Sequence, residues 1–143
     1  MWFHESDKNV IHLQEIFNKL MAKKIVNSDL LITEIVRGIE DVKGDHITIL
    51  DLREIENTVC EYFIICEGNS NTQVSAISNS IQKIVSKSLK DKPWHVEGES
   101  NAEWILLDYV NIVVHVFQKH VREYYNLEGL WGDAKITNIK SAY

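Results

Sequence analysis

Residues 103–117 read EWILLDYVNIVVHVF. Two apolar runs of strand length are separated by about two residues, the loop length of a tight β-hairpin. On the first run, period-two alternation sets Trp104, Leu106 and Asp108 on one face. Ile105, Leu107 and Tyr109 fall on the other. A strand apolar on both faces needs cover on both, so this hairpin must sit within a sheet packed by helices. If helices cover only one side, Trp104 and Leu106, rimmed by Asp108 and Glu103, form an exposed apolar patch. Such patches mark protein–protein contact, with tryptophan a favoured anchor. The competing reading is that the patch is capped from within, for instance by the N-terminal segment.

The rest of the chain supplies the sheet and its helices. NSDLLITEIVRGIEDVKG carries a Ser28 or Asp29 cap, an apolar stripe at Ile32, Ile35, Val36 and Ile39, and Gly44 as a stop. HITILDL (46–52) and EYFIICEG (61–68) read as strands, the second apolar enough to be central. The GNSN turn leads into a helix with Val74, Ile77, Ile81 and Ile84 on its stripe, ended by Lys90–Pro93. WHVEG (94–98) is a further short strand, and a final short helix begins near His120. The order α-β-β-α-β-β-β-α implies an α/β (α+β) domain with one mixed sheet of about five strands and helices mainly on one face. We divide the chain into an N-terminal extension (1–20), the domain proper (21–134) and a C-terminal tail (135–143). In the extension, Val10, Leu13, Ile16, Phe17 and Leu20 recur at helical spacing, consistent with an amphipathic helix packed on the domain. Met21 is the alternative natural start. The extension lacks the continuous apolar run of a signal peptide, and the expected location is cytoplasmic.

A chain of 143 residues fits one domain that buries its own core without disulfides or metals. No stretch approaches the ~18 uncharged apolar residues of a membrane span. The formal net charge is −6, from 21 acids against 15 bases. Between Trp94 and Trp131 stand Glu97, Glu99, Glu103, Asp108, Glu123 and Glu128 against only Lys119 and Arg122. That balance argues against direct sequence-specific nucleic-acid binding and against an anionic membrane, and suits a basic protein partner. On charge alone, a solvated acidic face is the plainer reading. Cys60 and Cys66 form no zinc spacing and read as reduced, unpaired thiols.

Catalytic patterns fail one by one. The Gly68–Asn71 turn lacks the glycine spacing and lysine of a phosphate-binding loop. A strand–GNS–helix start is shared with nucleotidyltransferases, yet no DxD pair for metal ions occurs, and no acid follows the turn until Asp91. Asp108 and His115 flank the hairpin and can approach across it, but no nucleophile motif accompanies them. No catalytic, metal-binding or cofactor-binding residue is assigned.

Three blocks taken together resemble the ribosomal silencing factor (Iojap) family: EYFIICEGNSNTQVSAISNSI, HVEGESNAEWILLDYVNIVVHVF and REYYNLEGLWGDA. The likeness runs from about Asn27 to Ala134. It implies a nucleotidyltransferase-like fold without transferase activity. It implies binding to the large ribosomal subunit through its protein number fourteen, blocking subunit joining and repressing translation when nutrients are short. Organelle relatives assist large-subunit assembly, the alternative role; a residual nucleotidyltransferase-like enzyme is a further one. By this likeness the partner surface falls on Trp104, Leu106, Asp108, His115, Tyr125, Glu128, Leu130 and Trp131, with Tyr124 and Leu127 in the same signature. Of these, Tyr124 and Leu127 are expected to lock the last helix to the sheet, while Tyr125, Leu130 and Trp131 border the partner surface. A face carrying Trp104 can also pair with its own copy, giving a homodimer when free. The chain departs from the family pattern at Val110-Asn111, where Gly-Asp is usual.

Overall fold

A computed structural model describes residues 7–22 and 26–140; for 7–10 and 19–22 only the backbone is described. Six strands form one sheet in the order β3-β4-β5-β2-β1-β6. They are β1 (Asp45–Asp51), β2 (Tyr62–Gly68), β3 (His95–Glu97), β4 (Trp104–Asp108), β5 (Ile112–Gln118) and β6 (Lys135–Asn138). The central β2 and β5 run parallel, with Ile64 opposite Val114; every other pair is antiparallel.

Two long helices cover one face. Helix α2 (Ser28–Asp41) starts at Asn27, whose side chain accepts from the N–H groups of Asp29 and Leu30, one position before the expected cap. It ends with Lys43 at φ 58°, so a lysine makes the left-handed stop ahead of Gly44. Helix α3 (Asn71–Leu89) is capped by Ser70 and closed by Lys90 in the left-handed region. Leu31, Ile35 and Ile39 of α2 and Val74, Ile77, Ile81 and Val85 of α3 pack on Ile64, Ile105, Leu107 and Val114. Ile32, Val36 and Ile84 lie at the half-buried margin of those stripes. The two helices touch at Gly38, where a Cβ would stand 2.8 Å from the Ile81 backbone, so only glycine permits the approach.

The opposite face carries a second core of Leu50, Phe63, Ile65, Leu106, Val113 and Phe117. Its lid is α4 (Lys119–Tyr125) and α5 (Leu127–Leu130), packing through Val121 and Leu127. The patch face of the hairpin is therefore partly capped from within, by the chain's C-terminal part. The single final helix expected from the sequence is two short ones. Asn126 breaks them at φ 45°, a conformation asparagine tolerates better than most residues.

Two further expectations change. Residues 135–138 are not a bare tail but a sixth strand, pairing antiparallel with β1 from Thr48–Asn138 to Asp51–Lys135. Their side chains are all exposed, so no buried stripe announces them in the sequence. At the other end, α1 (Asp7–Ala22) forms where helical spacing places it. Its Leu13 and Phe17 are exposed, whereas Ile16 is half-buried and the His12 ring meets Trp94 of the domain at 5.8 Å; Val10 and Leu20 lie outside the described side chains. Among the described residues no helix is long and apolar enough to cross a membrane.

Candidate functional site

The alternation read from EWILLDY holds. Ile105, Leu107 and Tyr109 enter the core under α2 and α3, while Trp104 and Leu106 face α4. Trp104 is half-buried and sits at the centre of an aromatic cluster. Its ring stacks on Phe117 at 4.8 Å and meets Tyr125 at 4.9 Å. Its indole N–H donates to Nδ1 of His115 at 3.1 Å. His115 stands edge-on to Phe63 at 4.7 Å, and Phe63 meets Trp131 edge-on at 5.5 Å. Two tryptophans are thus braced by one buried layer of His115, Phe63 and Phe117.

Of the residues carried over to the partner surface, the structure separates those that show from those beneath. Leu130 is 75% exposed and Tyr125 49% exposed. Trp104, Glu128 and Trp131 are half-buried. Leu106, Asp108 and His115 are only 5%, 6% and 1% exposed. These three do not belong to an exposed patch: Leu106 and His115 lie in the layer beneath α4 and α5, and Asp108 is buried at the hairpin turn against Val110. Tyr124 reverses its expected role. It is 82% exposed and packs edge-on against Tyr125 at 5.1 Å, while Leu127 alone of that pair locks into the sheet. Helix α4 buries Val121 and Arg122 and leaves Tyr124 on its outer side, and the left-handed break at Asn126 then lets Leu127 drop inward.

The Asp108–His115 approach also resolves differently. His115 lies opposite Leu106, and its Nδ1 partner is Trp104. Asp108 lies opposite Val113, and its Oδ1 accepts the Val110 N–H at 2.8 Å, bracing the hairpin turn. The turn holds Val110 at φ 80°, a position glycine ordinarily takes. Burial pushes the His115 ring well below its usual range, to about 3, so it is neutral at physiological pH. Burial likewise pushes the thiols of Cys60 and Cys66 up to about 12; both are free and protonated. Among the described residues no cluster of three His, Cys, Asp or Glu side chains is arranged to hold a metal ion.

Sequence reasoning counted Arg122 only as one of two local bases. In the structure it is buried and fastens the α4–α5 lid to the sheet. It donates to the His46 carbonyl at 2.6 Å, to Glu67 at 3.1 Å, to Thr48 Oγ1 at 3.0 Å and to Glu128 at 3.4 Å. A guanidinium suits this task because its donors are fixed in one plane. The surface it holds in place is aromatic, with Glu123 exposed and Glu128 half-buried beside the tyrosines. That composition suits recognition of a protein through a few rigid aromatic anchors with an acidic fringe.

The profile of the family described as "Ribosomal silencing factor during starvation" matches residues 25–142. The chain belongs to the ribosomal silencing factor family. The match continues past Ala134 and takes in β6. The chain is 42% identical over 101 residues to ribosomal silencing factor RsfS of Bacillus subtilis, covering 70% of this chain and 83% of that one. It is 38% identical over 106 residues to RsfS of Halalkalibacterium halodurans, covering 73% and 88%. A chloroplastic Iojap protein of Zea mays is 32% identical over 100 residues, covering 70% of this chain and 42% of that one. A crystal structure of a protein from Chromobacterium violaceum superposes with a TM-score of 0.70 at 32% identity, covering 82% of this chain and 97% of that one. This silencing factor family member thus shares its sheet-and-helix architecture with a solved relative.

Proposed function

We propose that this chain is a cytoplasmic, non-enzymatic repressor of translation that binds the large ribosomal subunit through its protein number fourteen. Occupying that face keeps the small subunit from joining. The observation that carries the reading is the exposed apolar surface of α4 and α5: Tyr125 against the braced Trp104, Tyr124 against Tyr125, and Leu130 on the short helix that follows. Exposed aromatics on a fixed base lose little conformational freedom on binding, which is how a small surface reaches useful affinity. The acids beside them steer the chain toward a basic partner and set its register. Repression then follows from steric occupation, with no bond made or broken.

The test is co-sedimentation with purified large subunits, followed by a subunit-joining assay. Tyr124→Ala combined with Leu130→Ala removes two exposed side chains and should weaken binding at least tenfold with an unchanged melting temperature. Crosslinking through position 124 should capture protein number fourteen. Binding within twofold of the parent would remove this face from the reading, and capture of another subunit protein would replace the named partner.

A further inference from the structure

We propose that His115 is a positioning residue, which fixes the Trp104 indole for docking by accepting its N–H at Nδ1. The inference rests on the docking reading above and assigns the buried histidine a role within it.

The geometry leads there in steps. An indole has one donor, and a donor held partly away from water needs an acceptor. His115 supplies it at 3.1 Å from the paired strand. Because Nδ1 accepts, the ring proton resides on Nε2. Among the described residues Nε2 is enclosed with no hydrogen-bond partner. A buried polar group without a partner lowers stability and calls for an explanation. The neighbours set against the ring are otherwise apolar: Phe63 lies edge-on at 4.7 Å, Phe117 is stacked at 6.2 Å, and Leu106 is the cross-strand neighbour. A phenylalanine or leucine would fill the position without stranding a ring N–H. What only a histidine, or another side chain with an acceptor at that branch, contributes is the bond to Trp104. That bond, together with the Phe117 and Tyr125 rings, leaves the indole one orientation before any partner arrives.

The consequence separates this role from a merely structural one. His115→Phe keeps a ring in the layer and removes both the acceptor and the orphaned N–H. It should leave the melting temperature unchanged or higher, yet weaken large-subunit binding at least fivefold. In the proton NMR spectrum the Trp104 indole N–H should move upfield and exchange faster with solvent. His115→Asn restores an acceptor at the Nδ1 branch; it should recover most of the lost affinity and the bonded indole resonance, even if the protein melts lower. If His115→Phe binds as tightly as the parent, or loses affinity only in step with its stability, the positioning role is wrong. If the parent itself fails to bind large subunits, the docking reading falls. The indole resonance then still reports whether His115 fixes Trp104.

Discussion

The guanidinium of Arg122 stands 3.1 Å from the carboxylate of Glu67, and both side chains are buried. Helix α4 is thereby tied to the C-terminal end of the central strand β2. Removing one partner of a buried pair leaves the other charge uncompensated, which costs about 3–5 kcal/mol. Arg122→Ala should lower unfolding stability by that order in urea titrations. The double variant Arg122→Met with Glu67→Leu should recover part of it, since Glu67 then leaves no stranded charge while the half-buried Glu128 still lacks its partner. A loss below about 1 kcal/mol in the single variant would show that the pair is not the fastening of the lid.

The hairpin turn makes the opposite prediction. A β-branched residue at φ 80° carries strain of about 1–3 kcal/mol. Val110→Gly should relieve it, less the entropy that glycine adds to the unfolded chain. We expect a net gain of about 1 kcal/mol, seen as a rise of roughly 3 °C in the calorimetric melting temperature. A fall would mean that packing of the Val110 side chain outweighs the strain.

Acid should weaken the fold through His115 in particular. The unfolded ring takes a proton near its usual value of 6.5, whereas in the folded chain burial holds the ring neutral down to about 3. The unfolded state therefore binds more protons between these values, and stability falls as pH drops from 6.5 toward 3. Between pH 7 and 4.5 the parent should lose about 2–3 kcal/mol more than His115→Phe, measured from urea midpoints at each pH. The carboxylates common to both proteins cancel in that comparison. Equal pH slopes would place the titration elsewhere.

Gly98 sits at φ 88° beside β4, and a Cβ there would stand 2.0 Å from the Trp104 carbonyl oxygen. Gly98→Ala should cost about 2 kcal/mol or more in denaturant, because both conformation and space exclude the methyl. It should also disturb Trp104 fluorescence, since the strain falls on that residue's backbone. An unchanged stability and spectrum would contradict this close approach.

How far the sequence discloses this molecule depends on how local each cause is. Strand β4 was legible because alternation from Trp104 to Tyr109 is a property of the chain alone, and the faces it assigns are those observed. Helices α2 and α3 were legible through their stripes and polar caps. Strand β6 was not, since its place comes from the ladder that β1 offers and not from any side chain it buries. The depth of His115 was hidden because its layer is covered by α4 and α5, later in the chain, and that of Asp108 because it depends on the hairpin turn it braces. The outward side of Tyr124 was hidden because α4 turns Val121 and Arg122 inward, and Leu127 is buried separately, in the helix that follows the break at Asn126. Arg122 follows no period at all; its reach to four groups exists only once α4, α5, β1 and β2 have met.

Strand β6 also bears on the order in which the molecule becomes competent. Asn138 accepts from Thr48 Oγ1, and the same Thr48 oxygen accepts from Arg122. The segment carrying Tyr124, Tyr125 and Leu130 is thus clasped at both ends, by β5 where it begins and by β6 where it stops. A chain made from its N-terminus releases this clasp after the other five strands. The other five strands can pair while the segment is held at one end only. Such a chain would have an assembled interior but a recognition face still loose, and residues 135–138 would close it.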